Sequence, residues 1–119
     1  MSTAINMEIV EELLSLSEDG DPELLVDLIQ IYLDDGPTKL HEITEGLDTQ
    51  DYDRVERAAH SLKGTSGNLG ARLLQDSCEA MQQASRNKEG EAVRELTPQI
   101  VTNYADAEVA LQNLLSTYR

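Results

Sequence analysis

The chain has 119 residues and carries 23 acidic side chains against 9 basic ones, which gives a formal net charge of −14. A protein that binds duplex nucleic acid needs a basic surface for the phosphates, so this charge argues against that class. The single cysteine excludes an internal disulfide and fits a reducing compartment. With no apolar run near ~20 residues and no secretory signal pattern, we expect one acidic cytoplasmic domain over residues 1–119.

Apolar residues recur at three- and four-residue spacing along the chain, which is typical of amphipathic helices. The first helix is predicted over residues 6–17. The second begins at Asp21-Pro22-Glu23, where an aspartate cap and an early proline favour a helix start. Gly36-Pro37 is expected to interrupt it, so that a third helix runs over about 37–48.

The second half of the chain continues the helical pattern. A fourth helix is predicted from Asp51 to about residue 67, a corner at 67–70 follows it, and a fifth helix covers about 71–87. The last covers about 91–118, where Pro98 should kink the helix or mark its true start. Amphipathic helices joined by short loops predict an all-α antiparallel bundle.

The acidic charge is unevenly distributed. Residues 1–60 hold 16 acids and 3 bases, whereas residues 61–119 hold 7 acids and 6 bases. The longest stretch without an acid lies between Glu56 and Asp76, and it contains His60 and Lys63. This gap indicates a place that tolerates or needs a nearby anion.

The fourth helix sorts into two faces around His60. At about 100° per residue, Val55, Ala58, Leu62 and Leu69 lie roughly opposite His60 and predict a buried stripe. On the side of His60 lie Arg57, Lys63, Gly64 and Gly67. His60 is therefore expected to face solvent.

The neighbours of His60 suggest a reason for its exposure. A glycine inside a helix costs about 1 kcal/mol relative to alanine, so Gly64 and Gly67 favour a surface cleared for the close approach of another molecule. Lys63 supplies a cation one turn away. Because a neutral imidazole is a nucleophile, the pattern predicts a phosphoryl acceptor; alone, an exposed histidine is more often an incidental surface residue.

The segment Ala59-His60-Ser61-Leu62-Lys63-Gly64, followed by small residues and Gly67, resembles the signature of histidine-containing phosphotransfer (HPt) domains. The resemblance implies an antiparallel four-helix bundle with one or more short N-terminal helices. It also implies that His60 accepts a phosphoryl group from a receiver-domain phospho-aspartate and passes it to another receiver.

The resemblance also assigns supporting roles. It implies that Lys63 neutralises the phosphoryl group and that Gly64 makes room for the receiver. Family members often place a glutamine, and sometimes a basic residue, on the following helix near the histidine, and Gln82 and Arg86 occupy such positions. Arg57 and Gly67, which lie on the helix face of His60, complete the expected supporting residues.

The expected mechanism is that of a carrier without its own nucleotide or metal site. In-line phosphoryl transfer needs positioning and charge neutralisation, usually with Mg²⁺. We see no phosphate loop, nucleotide motif or metal cluster in the sequence, so Mg²⁺ is expected from the receiver. The expected partners are response-regulator receivers or a hybrid sensor kinase, with neither nucleic acid nor membrane, and the chain is expected to be monomeric. Met1 and the lack of a linker favour a free-standing protein.

Two other functions compete with phosphoryl transfer. An acidic helical adaptor or nucleic-acid mimic would bind a basic partner through charge. An enzyme using His60 as a general base is disfavoured, because no orienting acid is evident.

His41 is expected to be an ordinary surface residue, and Cys78 a small core residue on the stripe of Leu74 and Met81.

Overall fold

The computed structural model describes residues 4–17 and 19–118, and five α-helices lie within these ranges. They are α1 (Met7–Ser15), α2 (Glu23–Asp48), α3 (Tyr52–Asn68), α4 (Arg72–Arg86) and α5 (Gly90–Tyr118). The residue Met1, on which the expectation of a free-standing protein rests, lies outside the described residues.

The four long helices form an antiparallel bundle. Turns of only a few residues join α2 to α3, α3 to α4 and α4 to α5, so each helix reverses the direction of the one before it. α3 packs between α2 and α4, α5 closes the bundle against α4 and α2, and α1 lies against α2. This arrangement confirms the prediction of a four-helix bundle with a short N-terminal helix.

The core is aliphatic and receives side chains from every helix. Its large, fully buried members include Val10, Leu25, Ile29, Ile43, Val55, Leu62, Leu74, Met81, Ile100 and Leu111. Cys78 is buried with them, as predicted, and burial raises the pKa of its thiol to about 12. The stripe of α3 that was predicted to face the bundle does so, because Val55, Ala58, Leu62 and Leu69 are all buried.

The predicted interruption at Gly36-Pro37 is wrong, since α2 runs through it from residue 23 to 48. The cause lies in tertiary packing. The rings of Tyr32 and Tyr104 stack with centroids 4.6 Å apart, and each hydroxyl donates to the other residue's carbonyl oxygen, at 3.1 and 3.0 Å. Gly36 lies one turn after Tyr32 and leaves the space that the Tyr104 ring fills. This buried link to α5 holds the helix together across a proline that disfavours it by about 3 kcal/mol.

Pro98 also lies inside a continuous helix, so the expectation that it marks the start of the last helix is wrong. The ring of Pro98 is exposed, and Val93 and Ile100 on either side of it are buried in the core. Core packing on both flanks therefore carries α5 through the position where one main-chain hydrogen bond is lost.

The turn between α3 and α4 is fixed by the N-terminal segment. Gly70 has a φ of +76°, and a side chain there would meet the carbonyl oxygen of Asn6 at 2.9 Å. The main-chain N–H of Asn6 donates to the carbonyl of Gly70 at 2.8 Å. This anchoring matters for function because the turn sets how α3 and α4 face each other.

Candidate functional site

His60 lies in the middle of the solvent-facing side of α3. The exposed residues of that helix recur at intervals of three and four and are Asp53, Arg57, His60, Gly64 and Asn68. We call this set the acceptor stripe. The structure thus confirms that His60 faces solvent, on a helix whose opposite side is locked in the core.

A buried amide from the neighbouring helix holds the imidazole. Gln82 of α4 is only 6% exposed, and its Nε2 lies 3.1 Å from Nδ1 of His60. Because Gln82 covers Nδ1, Nε2 is the ring nitrogen that is left for reaction. The side chain of Gln82 therefore orients the ring.

The same contact bears on the protonation of the ring. When the amide nitrogen donates to Nδ1, a neutral imidazole carries its proton on Nε2. The amide oxygen Oε1 of Gln82 is buried and has no partner among the described residues. A half-turn of the amide would present this oxygen to an Nδ1–H group, and Nε2 would then keep a lone pair for attack.

Lys63 is close to His60 along the helix, but a carboxylate holds it. Its Nζ lies 2.8 Å from Oε1 of Glu79 on α4. The other oxygen of Glu79 accepts from Gln83 at 2.9 Å. The hydrogen bond from Lys63, with that from Gln83 second, holds the pKa of Glu79 below its usual value.

Arg86 is held in the same way on the other side of the histidine. Its Nε lies 2.9 Å from Oε2 of Glu56 on α3. Arg57, by contrast, is exposed and has no ion pair within the described part of the chain. Of the predicted supporting cations, Arg57 is therefore free and the other two are paired.

These contacts follow one register across α3 and α4. The pairs Lys63 with Glu79, His60 with Gln82, and Glu56 with Arg86 are separated by 16, 22 and 30 residues, and each pair is centred on Ala71. The turn around Ala71 thus places His60 between two ion pairs of opposite polarity.

The two glycines near His60 have different surroundings. A Cβ added at Gly64 would meet nothing within 4 Å, so this position is open, as expected for a surface approached by a partner. A Cβ at Gly67 would lie 2.6 Å from Nε2 of Gln75, so the space there is already filled by α4. Gly67 therefore supports the site through packing of α3 against α4.

The remaining histidine lies on α2. His41 is exposed, in agreement with its prediction as a surface residue, and its Nε2 lies 2.8 Å from Oε2 of Glu45 one turn away. Arg54 shares that carboxylate at 2.9 Å, and its hydrogen bond is the main cause of the lowered pKa of Glu45.

The carboxylates beside His60 are functional candidates that the sequence interpretation missed. Glu56 directly precedes the acid-free stretch, and Glu79 lies just after its end. The packing of α4 against α3 brings Glu56 to Arg86 and Glu79 to Lys63, next to the histidine. In each pair the carboxylate and the cation are equally distant from residue 71 in sequence, and this symmetry about the turn is the signal that could have paired them.

Among residues 4–17 and 19–118 there is no group of three or more His, Cys, Asp or Glu that could hold a metal ion, and no helix there is long and apolar enough to cross a membrane.

Comparison with known proteins identifies the class. The family model of the Hpt domain matches residues 27–119, which is most of the chain and includes the whole of α3 and α4. The chain therefore belongs to the Hpt domain family.

Curated relatives and a solved structure agree. Histidine-containing phosphotransfer protein 2 of Arabidopsis thaliana is 24% identical over 108 residues, covering 88% of this chain and 69% of that protein. Histidine-containing phosphotransfer protein 1 of Oryza sativa subsp. japonica is 30% identical over 83 residues, covering 65% of this chain and 56% of that protein. Histidine-containing phosphotransfer protein B of Pseudomonas aeruginosa has the same fold, with a TM-score of 0.89 and 24% identity over 100% of both chains.

Family membership sets the function at a general level. Multistep phosphorelay regulator 1 of Schizosaccharomyces pombe is also similar, at 24% identity over 78 residues, covering 66% of this chain and 26% of that protein. Hpt proteins are phosphorelay carriers rather than conventional enzymes. The chain is a phosphorelay intermediate of two-component signalling.

Proposed function

We propose that Nε2 of His60 accepts a phosphoryl group from the phospho-aspartate of a receiver domain and passes it to the aspartate of another receiver. The observation that carries this proposal is the exposed imidazole whose other nitrogen is held by the buried Gln82. A nucleophile fixed on a rigid helix meets the positioning requirement of in-line transfer.

The chemical step uses the lone pair of Nε2. The lone pair attacks phosphorus, the Nε2–P bond forms, and the bond from phosphorus to the aspartyl oxygen breaks, which releases the donor as a carboxylate. The proton on Nδ1 stays on the ring during attack, and after the half-turn of the Gln82 amide described above this Nδ1–H donates to Oε1 of Gln82. Onward transfer reverses the sequence, and the protonated Nδ1 lets the imidazole leave as a neutral group.

The basic side chains around His60 neutralise the transferred group. A phosphoryl group carries about −1.5 to −2 charges at neutral pH, so Lys63 is attracted to it from its position one turn along α3. Arg57 is already free to meet the phosphoryl group or an acidic receiver surface, and Arg86 is the third cation. Gly64 leaves room for the receiver to approach Nε2.

The receiver supplies what the carrier does not. In this proposal the partner contributes the aspartate and Mg²⁺, and the carrier works without a nucleotide or metal site of its own. The partners are response-regulator receivers or the receiver of a hybrid kinase, met by a monomeric carrier in the cytoplasm. The family match and the open surface around His60 support receivers as the partners.

The test is a transfer assay with matched histidine variants. The protein is incubated with a ³²P-labelled phosphorylated receiver and Mg²⁺, and the label on each chain is measured after denaturing electrophoresis. We expect acid-labile, alkali-stable label on the wild type and on His41→Gln, and none on His60→Gln. Label that persists in His60→Gln, or that never appears with several receivers, would overturn the proposal.

A binding measurement at several salt concentrations addresses the alternative of an acidic adaptor or nucleic-acid mimic. That function predicts tight, strongly salt-sensitive binding to a basic partner, unchanged by His60→Gln. The exposed His60 held by a buried amide supports the carrier instead, because an adaptor that binds through its charge needs no oriented imidazole.

A further inference from the structure

Two ion pairs flank His60, and acceptance of a phosphoryl group does not by itself require them. Two of the three cations around His60 are occupied, Lys63 by Glu79 at 2.8 Å and Arg86 by Glu56 at 2.9 Å, whereas Arg57 is exposed and has no ion pair among the described residues. Each of the two occupied cations is paired across the gap between α3 and α4, one on each side of the histidine. The imidazole therefore lies between two charge-balanced pairs.

A phosphoryl group on Nε2 changes the balance at both pairs. Its negative charge attracts the two cations and repels the two carboxylates. Lys63 is 30% exposed and Glu79 47% exposed, so both side chains have room to reorient. A cation that turns to the phosphoryl group must leave its carboxylate. The loss of this ion pair reduces the net stabilisation of the phosphorylated histidine.

We propose that the two carboxylates compete with the phosphoryl group for the two cations, which keeps phosphorylated His60 ready to pass its group on. Glu79 and Glu56 are positioning residues in this mechanism, because they act through Lys63 and Arg86. The inference rests on the proposed function of His60 as the phosphoryl acceptor. Competition of this kind explains why transfer stays reversible, because a phosphohistidine that both cations stabilised fully would not pass its phosphoryl group to the next receiver.

The most direct variant is Glu79→Gln. It removes the competing charge and keeps the side-chain size, so Lys63 becomes available to the phosphoryl group. Exposed ion pairs have modest coupling, so the expected effect is about a two- to fivefold increase in the equilibrium ratio of phosphorylated carrier to phosphorylated receiver. Glu56→Gln should act in the same direction through Arg86.

A matched control comes from the ion pair between Glu45 of α2 and Arg54 of α3. Glu45 is 43% exposed against 47% for Glu79, and it accepts from Arg54 at 2.9 Å without facing α4. Glu45→Gln removes an equal charge from a paired carboxylate and should leave the equilibrium ratio unchanged. A shift as large as that of Glu79→Gln would show that general charge, and not competition for Lys63, moves the equilibrium.

The role of Lys63 is isolated by a double-mutant cycle. The ratio of phosphorylated carrier to phosphorylated receiver is measured at equilibrium for the wild type, Glu79→Gln, Lys63→Met and the double variant. Competition predicts that Glu79→Gln loses most of its effect in the Lys63→Met background. An equal effect in both backgrounds, or none in the wild-type background, would overturn the inference.

The outcomes also separate this inference from the function on which it rests. If the wild type carries no label at all, the proposed function fails, and the inference fails with it. If the wild type is labelled on His60 and the ratio is the same in Glu79→Gln, only the competition is contradicted.

Discussion

At the scale of single residues, Gly64 and Gly67 show that two similar sequence signals have different physical causes. Both lie near His60, and both cost helix stability relative to alanine. The structure leaves Gly64 open to solvent and fills the space at Gly67 with Gln75. Gly64 therefore leaves the open surface on which the proposed approach of a receiver depends, and Gly67 allows α3 to pack against α4.

Replacing Gly64 with alanine should separate stability from function. Because a Cβ there meets nothing within 4 Å, the variant should be about 0.5–1 kcal/mol more stable in urea denaturation. The new methyl group lies on the acceptor stripe one turn from His60, so transfer from a receiver should slow by about tenfold or more.

A small phosphodonor provides the control for this prediction. Phosphoramidate needs no docking surface, so Gly64→Ala should accept its phosphoryl group at the wild-type rate. Receiver-dependent transfer at the wild-type rate in this variant would contradict a role for the open surface.

The sequence predicts the residues of the site better than it predicts the contacts between them. His60 was located by its helix face, and Gln82 by the family resemblance. Neither the helix face nor the resemblance gives the partners of Lys63 and Arg86, because these contacts depend on the register of α3 against α4, which is set by the position of the turn at Ala71.

At the scale of helices, the sequence pattern predicts α1, α3, α4 and α5 with bounds near those observed, but it divides α2 wrongly. The local signal at Gly36-Pro37 is a strong helix breaker. It is outweighed by the link between Tyr32 and Tyr104, which are 72 residues apart in sequence. A contact at that separation has no signature in the local pattern, so the continuous helix could not be foreseen.

Replacing Gly36 with alanine should therefore destabilise the fold. The added Cβ would overlap the Tyr104 ring, and overpacking of this kind costs about 1–3 kcal/mol. Urea denaturation should show the loss, while Gly64→Ala shifts the midpoint in the opposite direction. An unchanged or higher midpoint for Gly36→Ala would contradict the packing described for α2 and α5.

At the scale of the whole molecule, folding determines how the charges behind the net −14 are distributed around His60. The acid-free stretch, residues 57–75, forms most of α3, the turn to α4 and the first turn of α4, and it contains every residue of the acceptor stripe except Asp53. Carboxylates from outside the stretch then return to the site, one from the start of α3 and one from α4. The sequence thus located the gap in negative charge, and the fold determines how completely the cations within it are paired.

The buried titratable groups predict how stability depends on pH. Burial raises the pKa of Tyr32 and Tyr104 above the ordinary 10.0, and it raises the pKa of Cys78 from 9.0 to about 12. Each group is neutral in the folded protein and ionises earlier in the unfolded chain. Their contribution to stability is therefore full below about pH 9 and is lost as the pH rises above it.

Urea denaturation at several pH values measures this dependence. The free energy of unfolding should fall above about pH 9, by at most about 1.4 kcal/mol per pH unit for each group. The double variant Tyr32→Phe with Tyr104→Phe removes two of the three groups and should show a shallower decline. A free energy of unfolding that stays constant between about pH 8 and pH 11 would contradict this account of the core.

In the proposed function, His60 carries the phosphoryl group on Nε2 because Gln82 covers Nδ1. Two-dimensional ¹H–³¹P NMR of the phosphorylated protein identifies the nitrogen that is modified. Phosphorus on Nε2 lies three bonds from both carbon-bound ring protons, so we expect correlations to Hδ2 and Hε1 of His60. A correlation to Hε1 alone would place the group on Nδ1, and a phosphoryl signal correlated with another residue would contradict the assignment of His60.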